Sequence, residues 1–583
     1  MGLRYLIAVP RDGQTYPVDL DAKMVNAGFQ RVEGGCRCWV YLNHPDRWAK
    51  FADEGGIIVG DLFEKHTRSK PIFAGRVAPH AEDLDTLVRA YWGGYVALRS
   101  SVFGLEFFRD PSGILPAYRI DCPEGYYLTS DLPLLVEVGL YAPRISWPEV
   151  AWFYYTNGFP TPNTALVGVE QILPATAVPL KDSMGPPRLL WSPWDFADAR
   201  DQGSDALRAI TIDCVRAWQA RYGSVMAGVS GGLDSSILAC SLDNGTSVTG
   251  LTISTADLRG DELRYAAALC EALGIQLIAG QYAFDAVNID RASLSHLPRP
   301  GGMAQLQAYD AVVTDTIRVT GANAFMSGVG GDNVFNLTRS ARPFVDHLLA
   351  TGPFNGSLRT LGDISRLTGA GRWAVLRAAM RVPKRAGPKY DWPVDLRFLD
   401  TALAVELAGR SFEHPWLRAP SGCLPGKHAH VATIVRAHAY VECHDRRWKF
   451  ASLHPLMSQP IIEMTLATPT WVACEGGVDR ARARKAFARD LPATILDRRL
   501  KGGPDGFALK LLRAQLPAIR ERLLDGHLAR EGIICRTTLE PALTEAQLMR
   551  GRDYTRILQF LDTEAWANHW LSIVPAHMGF RHH

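Results

Sequence analysis

Thirteen residues, Ser224 to Ser236, read SVMAGVSGGLDSS and bring together what is needed to hold a polyanion. Gly231 and Gly232 let a backbone approach a ligand without a Cβ in the way. Ser230, Ser235 and Ser236 add hydroxyl donors. Asp234 belongs in an anion cradle only with a hard cation beside it, since a carboxylate that holds Mg²⁺ lets the ion bridge phosphate oxygens. Farther along, SGVGGDNVF (Ser327 to Phe335) delivers a second acid, Asp332, on a second glycine turn, and LKGG places Lys501 on a glycine-flanked loop. Two acids at two strand ends can share Mg²⁺ on a pyrophosphate. The GxxxxGK[ST] pattern of another phosphate loop is absent.

These residues need elements to hold them. Val225, Met226, Ala227 and Val229 form a short apolar run, and Ser236 onward opens a helical pattern, so the glycine turn joins a buried parallel strand to a helix. The first amides of that helix are unpaired, and its dipole favours negative charge. SVTGLTIS (Ser247 to Ser254) reads as a second strand. Asp261 to Gly274 reads as a helix with apolar positions 263, 266, 267, 270 and 273 and a glycine stop, and NAFMSG (Asn323 to Gly328) as a third strand. The rhythm predicts a doubly wound sheet with its ligand at the carboxyl ends of the strands. Ser204 is the expected N-cap of a preceding helix with Leu207, Ile210, Cys214, Val215 and Trp218 on one face. Residues 1 to about 190 carry β-like runs at Tyr5–Val9, Cys38–Leu42, Gly56–Val59, Gly94–Leu98 and Tyr126–Thr129. A Pro-, Gly- and Asp-rich linker, Lys181 to Asp205, separates the two patterns and divides the chain at 1–195 and 204–583.

The chain has 583 residues, 47% hydrophobic and 21% charged, with a net charge of +3. That is an ordinary globular composition, too balanced to imply a nucleic-acid partner. Ten scattered cysteines offer no complete zinc site. No run reaches the roughly eighteen apolar residues of a membrane span, and a soluble cytoplasmic protein is expected.

SGGLDSS resembles the PP-loop of the ATP pyrophosphatases, which transfer AMP while gripping the departing pyrophosphate. Paired with SGVGGDNVF, it resembles the asparagine synthetase family. FFRDPSGILPAYR (Phe107 to Arg119), YYLTSDLPLLVEVG (Tyr126 to Gly139) and PNTALVGVEQILPA (Pro162 to Ala175) are similar to that family's glutaminase domain. The resemblance implies an α+β, N-terminal-nucleophile-hydrolase-like layered domain followed by an α/β PP-loop ATP pyrophosphatase domain. It implies ATP held by Val229, Ser230, Gly231, Gly232, Asp234, Ser235, Ser236, Thr252, Ser327 and Gly328, and Mg²⁺ on Asp234 and Asp332. It also implies catalysis by Lys501, whose charge would meet negative charge building on phosphoryl oxygen and oxyanion. The family's glutaminase needs a cysteine after the initiator methionine; Gly2 stands there, so no ammonia should be released. Val329 and Asn333 replace the glutamates of asparagine synthetases, and Val329 the tyrosine of β-lactam synthetases.

HPLMSQP, RRLKGGPDGF and these departures resemble the lasso peptide cyclases. That resemblance implies adenylation of an Asp or Glu side chain in a leader-cleaved precursor peptide and attack by the peptide's own N-terminal amine, with a leader peptidase as a further partner. The alternatives are an asparagine- or β-lactam-synthetase-like ligase on a small substrate, or a non-catalytic scaffold. Gly356 to Tyr390, with eight Arg or Lys against one Asp, is either a solvated face or a grip on an acidic peptide. Lys427 to Trp448 gathers four histidines without metal spacing. It reads as a helix lining the substrate cleft, with Glu442 or His444 as the candidate general base.

Overall fold

The computed structural model describes residues 2–573 apart from 12, 16–18, 34–37, 66–70, 73–74, 102–103, 181–184, 246, 255–261, 384–386, 388, 499–501 and 551–552. Strict alternation in the first strand, Tyr5–Pro10, sets the layering of the N-terminal part. Tyr5, Ile7 and Val9 point into a core shared with Val59, Val96, Leu98 and Phe107, whereas Leu6 and Ala8 point the opposite way, toward Leu20, Met24, Leu132 and Val150. The first set joins two antiparallel sheets face to face. One has Tyr5–Pro10 near its centre, between Gly125–Thr129 and Trp39–Leu42. The other is built on Gly56–Glu64 and Tyr91–Ser101. Helices cover the outer faces, giving a layered α+β arrangement.

Beyond residue 200 the sheet is parallel, in the order Gln276–Gln281, Val248–Ser254, Val225–Gly228, Ala324–Met326, Ala451–Leu453. Three of these strands are legible as apolar runs. The outer two are not: Gln276–Gln281 is half-exposed and polar, and Ala451–Leu453 is only three residues long. The chain leaves the central strand Val225–Gly228 toward one side and later returns on the other, so the loops after Val225–Gly228 and Ala324–Met326 part at a topological switch point. The helix Leu263–Leu273 ends at Gly274, in the left-handed conformation that glycine adopts most easily. Ser204 is not a cap. The helix starts at Gly203 with no side-chain cap, and the Ser204 hydroxyl instead accepts from Arg482 at 3.3 Å.

The linker separates two sheet systems but not two cores. Trp218, on the helix Gly203–Tyr222, packs edge-on to Phe63 and Trp92 of the second antiparallel sheet, with ring centres 5.0 and 6.2 Å away, and its Nε1 donates to Ser458 at 3.1 Å. The helix Pro425–Val441 runs through the interior. Its histidines go to separate partners: His428 to the Leu417 carbonyl, His430 to that of Val334, and His438 against the Trp416 ring. Immediately after the helix, buried Glu442 receives Arg109 at 2.6 Å, Gln171 at 3.2 Å, Tyr118 at 3.1 Å and Arg299 at 3.1 Å. Three of those four partners come from the N-terminal part.

Burial works against the Glu442 charge, but Arg299 and Arg109 hold its carboxyl below its ordinary value of 4.5. Its stabilising contribution is therefore complete above that value and is lost as pH falls through the lowered folded one. Glu442→Gln strands two buried guanidinium groups without their countercharge. It is expected to cost about 3 to 5 kcal/mol, read as a lower urea midpoint; an unchanged midpoint would show that the network does not tie the halves together.

Candidate active site

Local sterics shape the loop after Val225–Gly228. Gly231 sits at φ +63°, and a Cβ there would lie 2.3 Å from Cβ of Tyr265. Ser230 and Ser235 brace the turn: their hydroxyls are 3.1 Å apart, and the Ser235 hydroxyl also takes the Ser230 amide at 3.2 Å. The helix Leu233–Ser241 follows at once, directing its N-terminal amides into the space in front. Ser236 does not contribute there. Its hydroxyl donates back to the Gly232 carbonyl at 2.8 Å, and the residue is wholly buried.

The second loop is built to touch the first. A Cβ at Gly328 would come 2.7 Å from the Ser235 nitrogen, and one at Gly331 2.6 Å from Cβ of Asp234. Only glycines allow this approach, and it draws Asp234 and Asp332 to a single point. There Nη1 of Arg480 donates to both oxygens of Asp234, at 2.9 and 2.8 Å, and to Asp332. Burial opposes the Arg480 charge, yet Asp234, Asp332 and Asp479 raise its pKa above the ordinary value. Arg480 holds this position with a left-handed backbone, φ +47°. Behind it Arg484 meets Asp479 at 2.9 Å, and Arg498 reaches Glu262 at 2.8 Å and the Ser230 carbonyl at 3.0 Å.

The loops enclose a cavity of about 500 Å³ at the carboxyl ends of the strands, within the range of small-molecule sites. Nine of the twelve residues expected at the site line it: Val229, Ser230, Gly232, Asp234, Ser235, Thr252, Ser327, Gly328 and Asp332. Gly231 and Ser236 serve the loop's shape instead. Lys501 lies outside the described residues, while Arg498, Gly502 and Gly503 around it reach the cavity. Sequence reasoning missed Arg480, Arg484, Arg498 and an aromatic wall of Tyr282, Tyr309, Phe325 and Tyr440. Arg480 and Arg484 stand in the run DRARARKAF (Asp479 to Phe487), whose spacing does not tell which acids they meet.

Two expectations are corrected. The helix Pro425–Val441 lines the cavity only through Tyr440, and neither candidate base faces it. Glu442 is consumed by its arginines. His444 is half-buried, stacks on His454 with ring centres 5.5 Å apart, and has its pKa pushed down by desolvation to about 4. It lines a separate small cavity with Gly2 and Arg446. There a Cβ on Gly2 would already lie 3.3 Å from Arg446, whose guanidinium donates to the carbonyls of Leu3 and Ile114.

The donor set at Asp234 and Asp332 suits Mg²⁺. Two carboxylates already converge on one cation, and Mg²⁺ takes one or two carboxylates with the rest from phosphates and water. Among the described residues no three His, Cys, Asp or Glu side chains come together as a metal cage, so a nucleotide would have to complete the shell.

A model of the asparagine synthase family matches residues 206–572, which include the parallel sheet and both acid-bearing loops. No curated protein matches the chain. Gly328→Ala should force the loops apart at a cost of about 1 to 3 kcal/mol, weakening binding of a non-hydrolysable ATP analogue about tenfold or more by calorimetry. Gly371→Ala, where a Cβ meets nothing within 4 Å, is the matched control and should bind as the parent does.

Proposed function

Because this chain belongs to the asparagine synthase family, whose members are ATP-dependent, AMP-forming carbon–nitrogen ligases, we propose that it is a lasso peptide macrolactam synthetase. It takes a leader-cleaved precursor peptide, adenylates an Asp or Glu side chain and joins it to the peptide's N-terminal amine. One observation carries the reading: the two nucleotide loops meet in an open cavity, while the position of the family's glutaminase nucleophile is Gly2 under Arg446. With no thiol to liberate ammonia, the amine must arrive on the substrate.

In this reading the loop amides and the start of the helix Leu233–Ser241 hold the β- and γ-phosphates. Mg²⁺ on Asp234 and Asp332, when bound, neutralises pyrophosphate as it leaves. Arg480 and Arg484, which both line the cavity, would supply positive charge beside the same leaving group. The substrate carboxylate attacks the α-phosphorus, forming an acyl-adenylate and releasing pyrophosphate. Lys501, in the role the family resemblance gives it, stabilises the charge of this step and then the oxyanion formed when the amine attacks the acyl carbon. AMP leaves, and the proton lost by the amine passes to the departing phosphate and from there to solvent. Holding amine and acyl group together can supply roughly 7 to 11 kcal/mol of the barrier.

Asp234→Ala and Asp332→Ala are each expected to abolish AMP formation while the far-ultraviolet circular dichroism stays that of the parent. Turnover at the parent rate in either would remove these acids from the mechanism. With ATP, Mg²⁺, the matching precursor and its leader peptidase, the parent should yield a product one water lighter than the linear core. Tandem mass spectrometry should place an isopeptide between the N-terminus and an acidic side chain. A precursor that stays linear while free aspartate or a small β-amino acid is converted would assign the chain to a sibling ligase instead.

A further inference from the structure

The nucleotide site leaves one part of the chain unexplained. Residues 342–380 fold into three helices, Arg342–Thr351, Leu358–Thr368 and Arg372–Met380, around a small core of Phe344, Val345, Leu361, Ile364, Val375 and Ala379. This unit buries its own apolar side, and what it leaves outside is unusual. Among the described residues six large hydrophobic side chains are more than two-thirds exposed, and four belong to this segment: Phe354 at 94%, Trp373 at 80%, Met380 at 74% and Leu358 at 69%. Isolated exposed hydrophobics need no explanation, but a cluster does. Helical spacing aligns part of it, since positions 373, 377 and 380 fall on one face of Arg372–Met380, opposite buried Val375 and Ala379, and Arg381 follows at the helix end.

The charges on that face point to its partner. Arg377 and Arg381 alternate with Trp373 and Met380, and neither has an ion-pair partner among the described residues. The acids nearby are already engaged, Asp363 with Arg366 and Glu475 within 4.0 Å of Arg359. We propose that this helical unit docks the enzyme on an anionic lipid surface, with Phe354, Leu358, Trp373 and Met380 entering the headgroup boundary and the arginines meeting lipid phosphates. An acidic peptide would satisfy the charge alone. Side chains this fully exposed suit a deformable apolar medium that closes around them, with tryptophan at the interface and arginine snorkelling to the headgroups. Among the described residues no helix is long and apolar enough to cross a membrane, so the attachment is peripheral.

The experiment is co-sedimentation of the full chain with vesicles of phosphatidylcholine, with and without phosphatidylglycerol. The parent should bind only the anionic vesicles, and less as salt rises. Arg377→Glu with Arg381→Glu should lower partitioning about fivefold or more for each arginine replaced. Trp373→Ala with Met380→Ala should lower it about tenfold. Both double variants should keep parent ATP–pyrophosphate exchange, since neither pair lines the nucleotide cavity. Binding to neutral and anionic vesicles alike, no binding by the parent, or variants that sediment as the parent does would each overturn the proposal. So would loss of precursor-peptide affinity with vesicle binding unchanged, which would make the surface a peptide site.

Discussion

A carboxylate buried among two arginines, a tyrosine and a glutamine is costly to assemble, and Glu442 is held in that setting at the junction of the two sheet systems. Desolvating one negative and two positive groups is repaid only when every partner is in place. Arg109 therefore also bonds the carbonyls of Leu115, Ile172 and Gly113, and so locks three N-terminal segments into one arrangement. The helix Pro425–Val441 leads directly into this knot, and Tyr440, two residues before it, stands in the wall of the nucleotide cavity. The antiparallel sheets thus fix one end of the element that borders the catalytic space.

Within the cavity the governing constraint is contact between two loops. Gly328 and Gly331 bring the backbones so close that Asp234 and Asp332 would repel without a cation between them. Arg480 fills that role at the cost of a backbone conformation worth roughly 1 to 2 kcal/mol for a residue with a Cβ. The same convergence that suits the guanidinium suits a divalent ion.

Most of the site was legible because loop chemistry is local. Gly231, Asp234, Gly328 and Asp332 sit in short stretches whose turns and adjacent strands can be read from neighbours in sequence. Ser236 was misread because one turn of helix decides whether a hydroxyl faces the ligand or bonds its own backbone, as it does to Gly232. Glu442 was misread because a polar residue at the end of a helix looks the same whether it faces a cleft or a buried partner hundreds of residues away, and His444 because no local pattern shows that it turns to His454. The role of Arg480 depends on a contact with Asp234 across 246 positions, which no local pattern encodes. The edge strands Gln276–Gln281 and Ala451–Leu453 escaped notice because exposure and brevity erase the apolar signal of a buried parallel strand.

Trp218 belongs by sequence to the nucleotide-binding half, yet its ring lies against Phe63 and Trp92 of the other half, in one core that also holds Val225 and Ala227 of the central parallel strand. A shortened gene lacking the first 190 codons would set that indole against water. Losing the antiparallel sheets would therefore cost the second half part of its own interior. The first 190 residues are thus held to the rest of the chain as an interior wall, whatever chemistry they do or do not perform.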